Sequence, residues 1–335
     1  MFDYTVRRLL IAVPTLVIIS LVIFLVLSLA PNDPMAQVPL TVPPEVKEKM
    51  REALGLGQPI YVQFWKWLVQ FFWIEPQVLI DYYFGTNYSE DKLRVISWQT
   101  RAPVMDTVVQ RLPQTLWVVG MSYVVAIAIS IPIGIYSAYK QYSIFDQAGT
   151  FITMVGYSIP PFFTGPLVIV IFAVYLEWFP STYDTLHEVN NWESFIIQLK
   201  QMFLPVMVLA IQGTAQISRY MRSAILDNLN QDYVRTARAK GLSESIVILV
   251  HVLRNSMIPV ITVIALNLPL IFGGAIITEQ VFKVNGIGQQ LILAIYANDL
   301  PTIQTLTFIF AFLIVFFNLV ADILYALLDP RIRYE

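Results

Sequence analysis

The chain has 335 residues, of which 57% are hydrophobic and 13% charged, with a mean hydropathy of +0.64. That is too apolar for a soluble globular protein of this length, so a lipid bilayer is the expected solvent. A net charge of -2 without any basic run leaves no footprint for nucleic acid, and the lack of cysteine excludes disulfides, thiolate nucleophiles and thiolate metal sites.

Six stretches of 18 residues or more contain no Asp, Glu, Lys or Arg: 9 to 32, 112 to 139, 147 to 176, 201 to 218, 255 to 278 and 300 to 321. A helix crosses the hydrocarbon core in about 20 residues, and a charge at its centre costs roughly 2.5 to 3.5 kcal/mol. Six transmembrane helices are therefore expected.

The first apolar run, Leu9 to Ala30, follows Arg7 and Arg8 and ends at Pro31-Asn32-Asp33-Pro34. It outruns the roughly 7 to 15 residues of a signal-peptide core and reads as a retained first span. Residues 33 to 111 are the longest polar segment and predict a cap outside the membrane. Within it, Pro43-Pro44 opens an amphipathic helix with Val46, Met50 and Leu54 on one face and Gly55 at its end. The aromatic patch of Tyr61, Phe64, Trp65, Trp67, Phe71, Phe72 and Trp73 suits either ligand stacking or an interfacial belt, the belt being the commoner use. The stretch from Asp81 to Arg101 suggests no role.

Span two runs from about Pro113 to Tyr139, with a short turn through Lys140, Ser143 and Asp146. Span three, about 149 to 176, contains Ser158-Ile159-Pro160-Pro161, and the proline pair predicts a bend that is either a hinge or a fixed kink. Residues 177 to 200 form a polar, acidic loop that holds His187. Span four, about 202 to 222, carries Gln212, Gly213, Thr214 and Gln216 and ends at Arg219 and Arg222; its polar groups either face a translocation path or bond across helices.

A charged island follows, from Asp232 to Pro259, with a helix-stop-helix plan. Good helix formers from Tyr233 to Lys240 place their cations late, where the helix dipole favours them, and Gly241 supplies the left-handed stop. Ser243 caps a second helix whose apolar stripe is Ile246, Val247, Leu249, Val250 and Leu253. Two short helices joined at Gly241 and projecting from the membrane surface are expected. Span five, about 258 to 278, contains Asn267, Pro269 and Gly273-Gly274. The segment from 279 to 299 includes a turn at Asn285-Gly286-Ile287-Gly288, and span six runs from about Pro301 to Leu328. Inside it Asp322 is either a gate or relay or a structural acid paired with a cation such as Arg219 or Arg222.

The cations set the orientation. With the N-terminus inside, the inner side holds Arg7, Arg8, Lys140, Arg219, Arg222, Arg235, Arg238, Lys240, Arg254, Arg331 and Arg333, for a net charge of +3 there and -5 outside. The short outer loops hold just Lys200 and Lys283, as the positive-inside rule asks, so both termini and the charged island are expected to be cytoplasmic. No enzyme constellation emerges. There is no Gly-Lys dipeptide and hence no Walker A loop, and His187 and His251 fall on opposite sides of the membrane. The island therefore reads either as a juxtamembrane basic segment that sets topology or as a contact for an energy-supplying partner.

The wording YVRTARAKGL over residues 233 to 242, then His251-x-Leu253-Arg254-Asn255 and Ile258-Pro259-Val260, resembles the membrane-spanning permease subunits of ABC importers, in particular their dipeptide, oligopeptide and nickel branch. Arg235-Thr236-Ala237 stands where the generic cytoplasmic loop of these permeases has Glu-Ala-Ala, with Gly241 at the glycine position. The resemblance continues in Val6-Arg7-Arg8-Leu9 with Pro14, in Leu54-Gly55-Leu56-x-Gln58-Pro59, and in Asp329-Pro330-Arg331-Ile332-Arg333. It implies an all-α integral membrane protein of six helices. Residues 1–32 would be the N-terminus and first helix, 33–111 the extracytoplasmic cap, and 112–335 the core permease domain, whose cytoplasmic coupling loop is 223–257.

The resemblance further implies that Tyr233, Arg235, Thr236, Ala237, Arg238, Ala239, Lys240, Gly241 and Leu242 form a coupling helix that docks on an ATPase, with Ala237 and Ala239 leaving room for close contact and the cations available to its carboxylates. Candidates for the path or gate are Ser158, Gln212, Thr214, Gln216, Asn267 and Asp322. The implied partners are a second homologous permease, two ABC ATPase subunits that carry ATP and Mg, and an extracytoplasmic substrate-binding protein. This chain would bind no cofactor and catalyse nothing. The setting would be the cytoplasmic membrane of a prokaryote, and the cargo short peptides or oligosaccharides, with nickel least supported. The rival readings are a partner-independent secondary transporter, for which Asp322 alone is thin support, and an intramembrane hydrolase, which would need paired catalytic side chains at depth.

Overall fold

A computed structural model describes residues 2–29, 42–54, 58–89 and 92–328. Among the described residues the regular structure is helical, with irregular segments at 92–103 and 176–191 and an isolated antiparallel bridge between Ile96 and Pro103. The chain order is α1 (Phe2–Ser28), α2 (Pro44–Leu54), α3 (Ile60–Val69), α4 (Glu75–Phe84), α5 (Val104–Tyr139), α6 (Ile144–Ser158), α7 (Pro161–Val168), α8 (Trp192–Leu229), α9 (Asp232–Ala239), α10 (Glu244–Ile246), α11 (Leu253–Phe282), α12 (Ile287–Tyr296) and α13 (Leu300–Leu328). Wide π turns join α3 to α4 and α10 to α11 and extend α7 to Tyr175. Gly55 and the motif from Asp329 to Arg333 lie outside the described residues, as do the side chains of Met50, Leu54 and Pro269.

Among the described residues five helices are long and apolar enough to cross a membrane, and α6 with α7, bent by 108° at the break between them, make a sixth crossing if counted as one span. The bend falls where the proline pair predicts it. Ile159, before a proline, is pushed to φ -89 and ψ 120, and Pro160 continues extended at φ -65 and ψ 149, so the helix stops and restarts with Pro161 in its first turn. The Pro160 carbonyl accepts the Phe163 and Thr164 N–H groups at 3.0 and 3.1 Å and the Thr164 hydroxyl at 3.2 Å.

Two boundaries differ from the expected ones. The charge-free stretch begins at 201, yet α8 begins at Trp192, because Asn191 and Ser194 form a reciprocal capping box and Glu193 sits favourably in the first turn. The second half of the charged island is not a separate short helix. From Glu244 the helix continues through the π turn at Val247–Val252 into α11 and ends at Lys283, whose φ of 58 closes it. The island therefore holds one short helix, α9, ahead of the long helix that ends at Lys283.

The chain divides into two compact units. The first comprises Met1–Ala12, Gln114–Gln289 and Leu313–Glu335. Its centre is an apolar cluster of Ala138, Ile217, Met221, Ile225, Val234, Ala237, Val247, Val252 and Val260, which ties α9 to α5, α8, the π turn and α11. Gly134 lets α5 approach α8 closely, since a Cβ there would lie 2.5 Å from Met221 Cβ.

The second unit comprises Val13–Pro113 and Gln290–Phe312. The aromatic patch lies on α3 and its π turn, and helical spacing splits it into two faces. Phe64, Trp67 and Phe71 turn inward onto Phe24 and Phe308, with ring centroids 4.9 to 5.6 Å apart, and Trp67 is 5% exposed. Tyr61, Trp65 and Trp73 are exposed. The patch is thus half core and half surface. The stretch from Asp81 to Arg101 also has a structural purpose. Asp81 accepts bonds from the Thr86 and Ser89 hydroxyls and from the Tyr88 and Ser89 N–H groups, which folds the turn after α4. Arg94 bridges Glu75 and Asp106, at 2.8 Å from each, and Ser97 and the Trp98 N–H bind buried Asp299 ahead of α13.

Candidate functional site

The charged island folds into a two-faced helix with a tight stop. On α9, Val234 and Ala237, three residues apart, are buried in the apolar cluster, while Arg235, Thr236, Arg238, Ala239 and Lys240 are exposed. Gly241 takes φ +77, its N–H donates to Arg238 O at 2.9 Å, and the Leu242 N–H donates to Ala237 O at 3.4 Å. This is the paired bonding of a Schellman motif, which satisfies the last carbonyls of the helix and requires a residue at ease in the left-handed region. Tyr233 donates from its hydroxyl to Asn228 Oδ1 at 2.7 Å and so ties the start of α9 to the end of α8.

The expectations for individual side chains change here. Ala237 does not leave room for a partner, because its spacing from Val234 places it on the inward face; Ala239 is exposed. Two of the three cations already have acids of this chain beside them. Arg238 bonds Glu244 through Nε at 3.1 Å and Nη2 at 2.6 Å, and Arg235 lies 3.5 Å from Asp232. The Arg235 pair is largely exposed and the Arg238 pair partly so, hence both are weak enough to exchange for a partner's carboxylates.

Among the path candidates, Ser158, Thr214, Asn267 and Asp322 each have partners of their own. Ser158 and Asn267 each donate to a carbonyl one turn back on their own helix, Met154 O and Val263 O, both at 2.8 Å. Thr214 is buried and lies 3.5 Å from Ala126 O of α5, while Gln212 and Gln216 are half-buried on α8. Among the described residues no hydrogen bond joins one of the six to another. Asp322 is paired, but with Arg8 at 2.9 Å rather than with Arg219 or Arg222. Arg222 is committed to Asp146, and Arg219 lies over the Tyr157 ring at 5.6 Å.

Two constellations escaped the sequence reading. One is the Asp146 and Arg222 pair. The other is Glu279, fully buried near the end of α11, whose carboxylate accepts Thr115 Oγ1 at 2.6 Å and the Gly288 and Gln289 N–H groups at 2.8 and 3.0 Å. It thereby caps the start of α12, where two donors and the helix dipole favour a negative charge. Gly286 makes room, since a Cβ there would lie 2.3 Å from the carboxylate. The available signal was the glycine pair Gly286 and Gly288 close after an acid.

Residues 130–334 match the family described as binding-protein-dependent transport system inner membrane component, and residues 1–119 match the N-terminal region described for the same transport systems. The chain is 38% identical over 338 residues, all of both chains, to the oligopeptide transport system permease protein AppB of Bacillus subtilis (strain 168). It is 36% identical over 339 residues, again all of both chains, to the glutathione transport system permease protein GsiC of Escherichia coli (strain K12). It also resembles in fold a chain of the inward-facing MetNI methionine ABC transporter, with TM-score 0.54 and 16% identity, covering 67% of this chain and 97% of that one.

Proposed function

The chain belongs to the family of binding-protein-dependent transport system inner membrane components, and from that premise we propose that it carries short peptides across the cytoplasmic membrane, with α9 as the helix that docks on an ATPase subunit. It is a multi-pass membrane permease subunit of an importer. The peptide assignment is supported by full-length relatives named for oligopeptide and glutathione transport. In this reading the chain forms half of the path with a second homologous permease, two ATPases beneath bind ATP and Mg, and a binding protein delivers cargo from outside. Both termini and α9 face the cytoplasm, in keeping with the cation distribution.

The observation that carries the coupling role is the division of α9 into two faces. Its inward face is rooted in the core through Val234 and Ala237, and its outward face is left to solvent. A helix rooted in this way moves with the helices beneath it when a partner pushes on it. The chain itself performs no chemistry and takes its energy from the ATPases. A partner-independent secondary transporter is less well served, because Asp322 is held by Arg8. The test is to purify the chain from its native host in mild detergent and identify co-purifying proteins by mass spectrometry. A second permease and nucleotide-binding subunits are the expected result, and a lone chain that moves solute without ATP would overturn the reading.

A further inference from the structure

α9 stands in the chain between α8 and the continuous helix of α10 and α11, and both arms of the broken span pack on these helices. The arm α6 lies along α8. At its start Asp146 Oδ1 accepts Arg222 Nε at 2.7 Å, and Oδ2 accepts Arg222 Nη2 at 2.8 Å and the Tyr142 N–H at 2.9 Å. The Asp146 side chain is 4% exposed. Toward the end of α6, Gly156 is pressed on α8, where a Cβ would come within 2.5 Å of Ile211 Cγ2. The arm α7 lies against α11, where a Cβ on Gly165 would meet Val281 Cγ1 at 2.9 Å, and it also touches α8. Between the arms is the proline break, bent by 108°. With α7 shared between α11 and α8, the angle at Pro160 depends on how firmly α6 is held to α8.

We propose that Arg222 and Asp146 are positioning residues of transport, a clamp that makes α6 follow α8 and so converts displacement of α9 into opening or closing of the α6–α7 break. The proposal rests on the docking role of α9. Burial cannot supply the grip at the start of this arm, since Ile144 is 87% exposed and Phe151 and Ile152 beyond it are also exposed. A two-pronged guanidinium–carboxylate contact fixes orientation as well as distance. With the carboxylate buried, parting the two charges is costly, so the arm follows its neighbour instead of slipping along it. The third bond, from Tyr142, also ties in the turn that leaves α5.

The test uses the complete assembly, permease pair, ATPases and binding protein, in lipid vesicles. Because the chain has no native cysteine, spin labels placed at Phe151 on α6 and Val174 beyond α7 report the break directly. The chemical cross-link between α9 and the ATPase is scored in every sample. In the unmodified chain, ATP with binding protein is expected to shift the 151 to 174 distance. In R222Q and D146N the cross-link should persist while that shift disappears and the ratio of stimulated to basal ATP hydrolysis, together with peptide uptake, falls at least tenfold. The double variant D146N/R222Q removes the unpaired charge and is expected to keep the cross-link, as the single variants do, without recovering uptake. The clamp is overturned if the single variants keep the distance shift and uptake within twofold, or if the double variant restores both. An unmodified chain in which α9 does not cross-link sinks the docking role and the clamp with it, whereas a persistent cross-link with normal uptake in R222Q sinks the clamp alone.

Discussion

Arg238 and Glu244 clasp each other across Gly241, with Nη2 2.6 Å from Oε1 and Nε 3.1 Å from Oε2. The left-handed glycine sets the angle at which α9 leaves the helix that follows, with the exposed clasp beside it. No atom lies within 4 Å of a Cβ built on Gly241, so a side chain there strains the backbone at φ +77 rather than colliding with a neighbour. Gly241→Val is expected to cost about 1 to 2 kcal/mol locally, to leave insertion and yield intact, and to abolish stimulation of ATP hydrolysis by the binding protein. Membrane yield set against stimulated hydrolysis in vesicles checks this, and normal stimulation would mean the turn geometry is immaterial.

Helical spacing divides the aromatic patch, and two tryptophans two residues apart should respond in opposite ways. Trp67→Ala empties a site packed by Phe71 and Phe308 and is expected to cost about 3 to 5 kcal/mol. Trp65→Ala, on the exposed face, should stay within about 0.5 kcal/mol. Thermal unfolding in the same detergent compares them, and equal losses would contradict the assignment of faces.

The buried carboxylate of Glu279 leaves no space beside it. Gly286→Ala places a methyl group against that carboxylate and is expected to destabilise by about 1 to 3 kcal/mol. Thr115→Val, which removes one donor to the same oxygen pair, is expected to cost about 1 to 3 kcal/mol. Unfolding temperatures of the two variants test this, and the double variant should fall short of additivity because both act on one group.

The turn after α4 is expected to be sensitive to acid. What desolvation Asp81 suffers pushes its carboxyl up, but the bonds from Ser89, Thr86 and the Tyr88 and Ser89 N–H groups outweigh it and hold the carboxyl well below the usual range. The folded form therefore binds its proton less readily than the unfolded form. Its stabilising effect is fully present above about pH 4, where the unfolded carboxylate is ionised, and fades as pH falls through the folded value. Hydrogen exchange at the Ser89 amide should speed up toward low pH, corrected for intrinsic rates. Asp81→Ala should be fast throughout and lack that dependence.

The spans were legible because the bilayer imposes a penalty on charge that shows directly as gaps in Asp, Glu, Lys and Arg. The break at Pro160 and the stop at Gly241 were legible for a similar reason, since each rests on the backbone chemistry of one residue. What escaped depends on partners remote in sequence. Nothing near Arg222 points to Asp146, 76 residues away, and Asp322 finds Arg8 from the opposite end of the chain. α8 starts ahead of its charge-free stretch because a capping box and the dipole at Glu193 begin the helix there, and Lys200 interrupts the gap without ending the helix. The inward place of Ala237 is fixed by its register with Val234 and by the cluster around Ile217 and Val252, which no local motif shows.

The most direct test of the account is a cysteine scan of α9 in this cysteine-free chain, followed by cross-linking in membranes that contain the whole assembly. Cysteines at Arg235, Ala239 and Lys240 on the outward face are expected to form adducts with an ATPase subunit, and cysteine at Val234 on the buried face is not. Adducts at none of the outward positions, in membranes where ATP still drives peptide uptake, would contradict the assignment of α9 as the coupling helix.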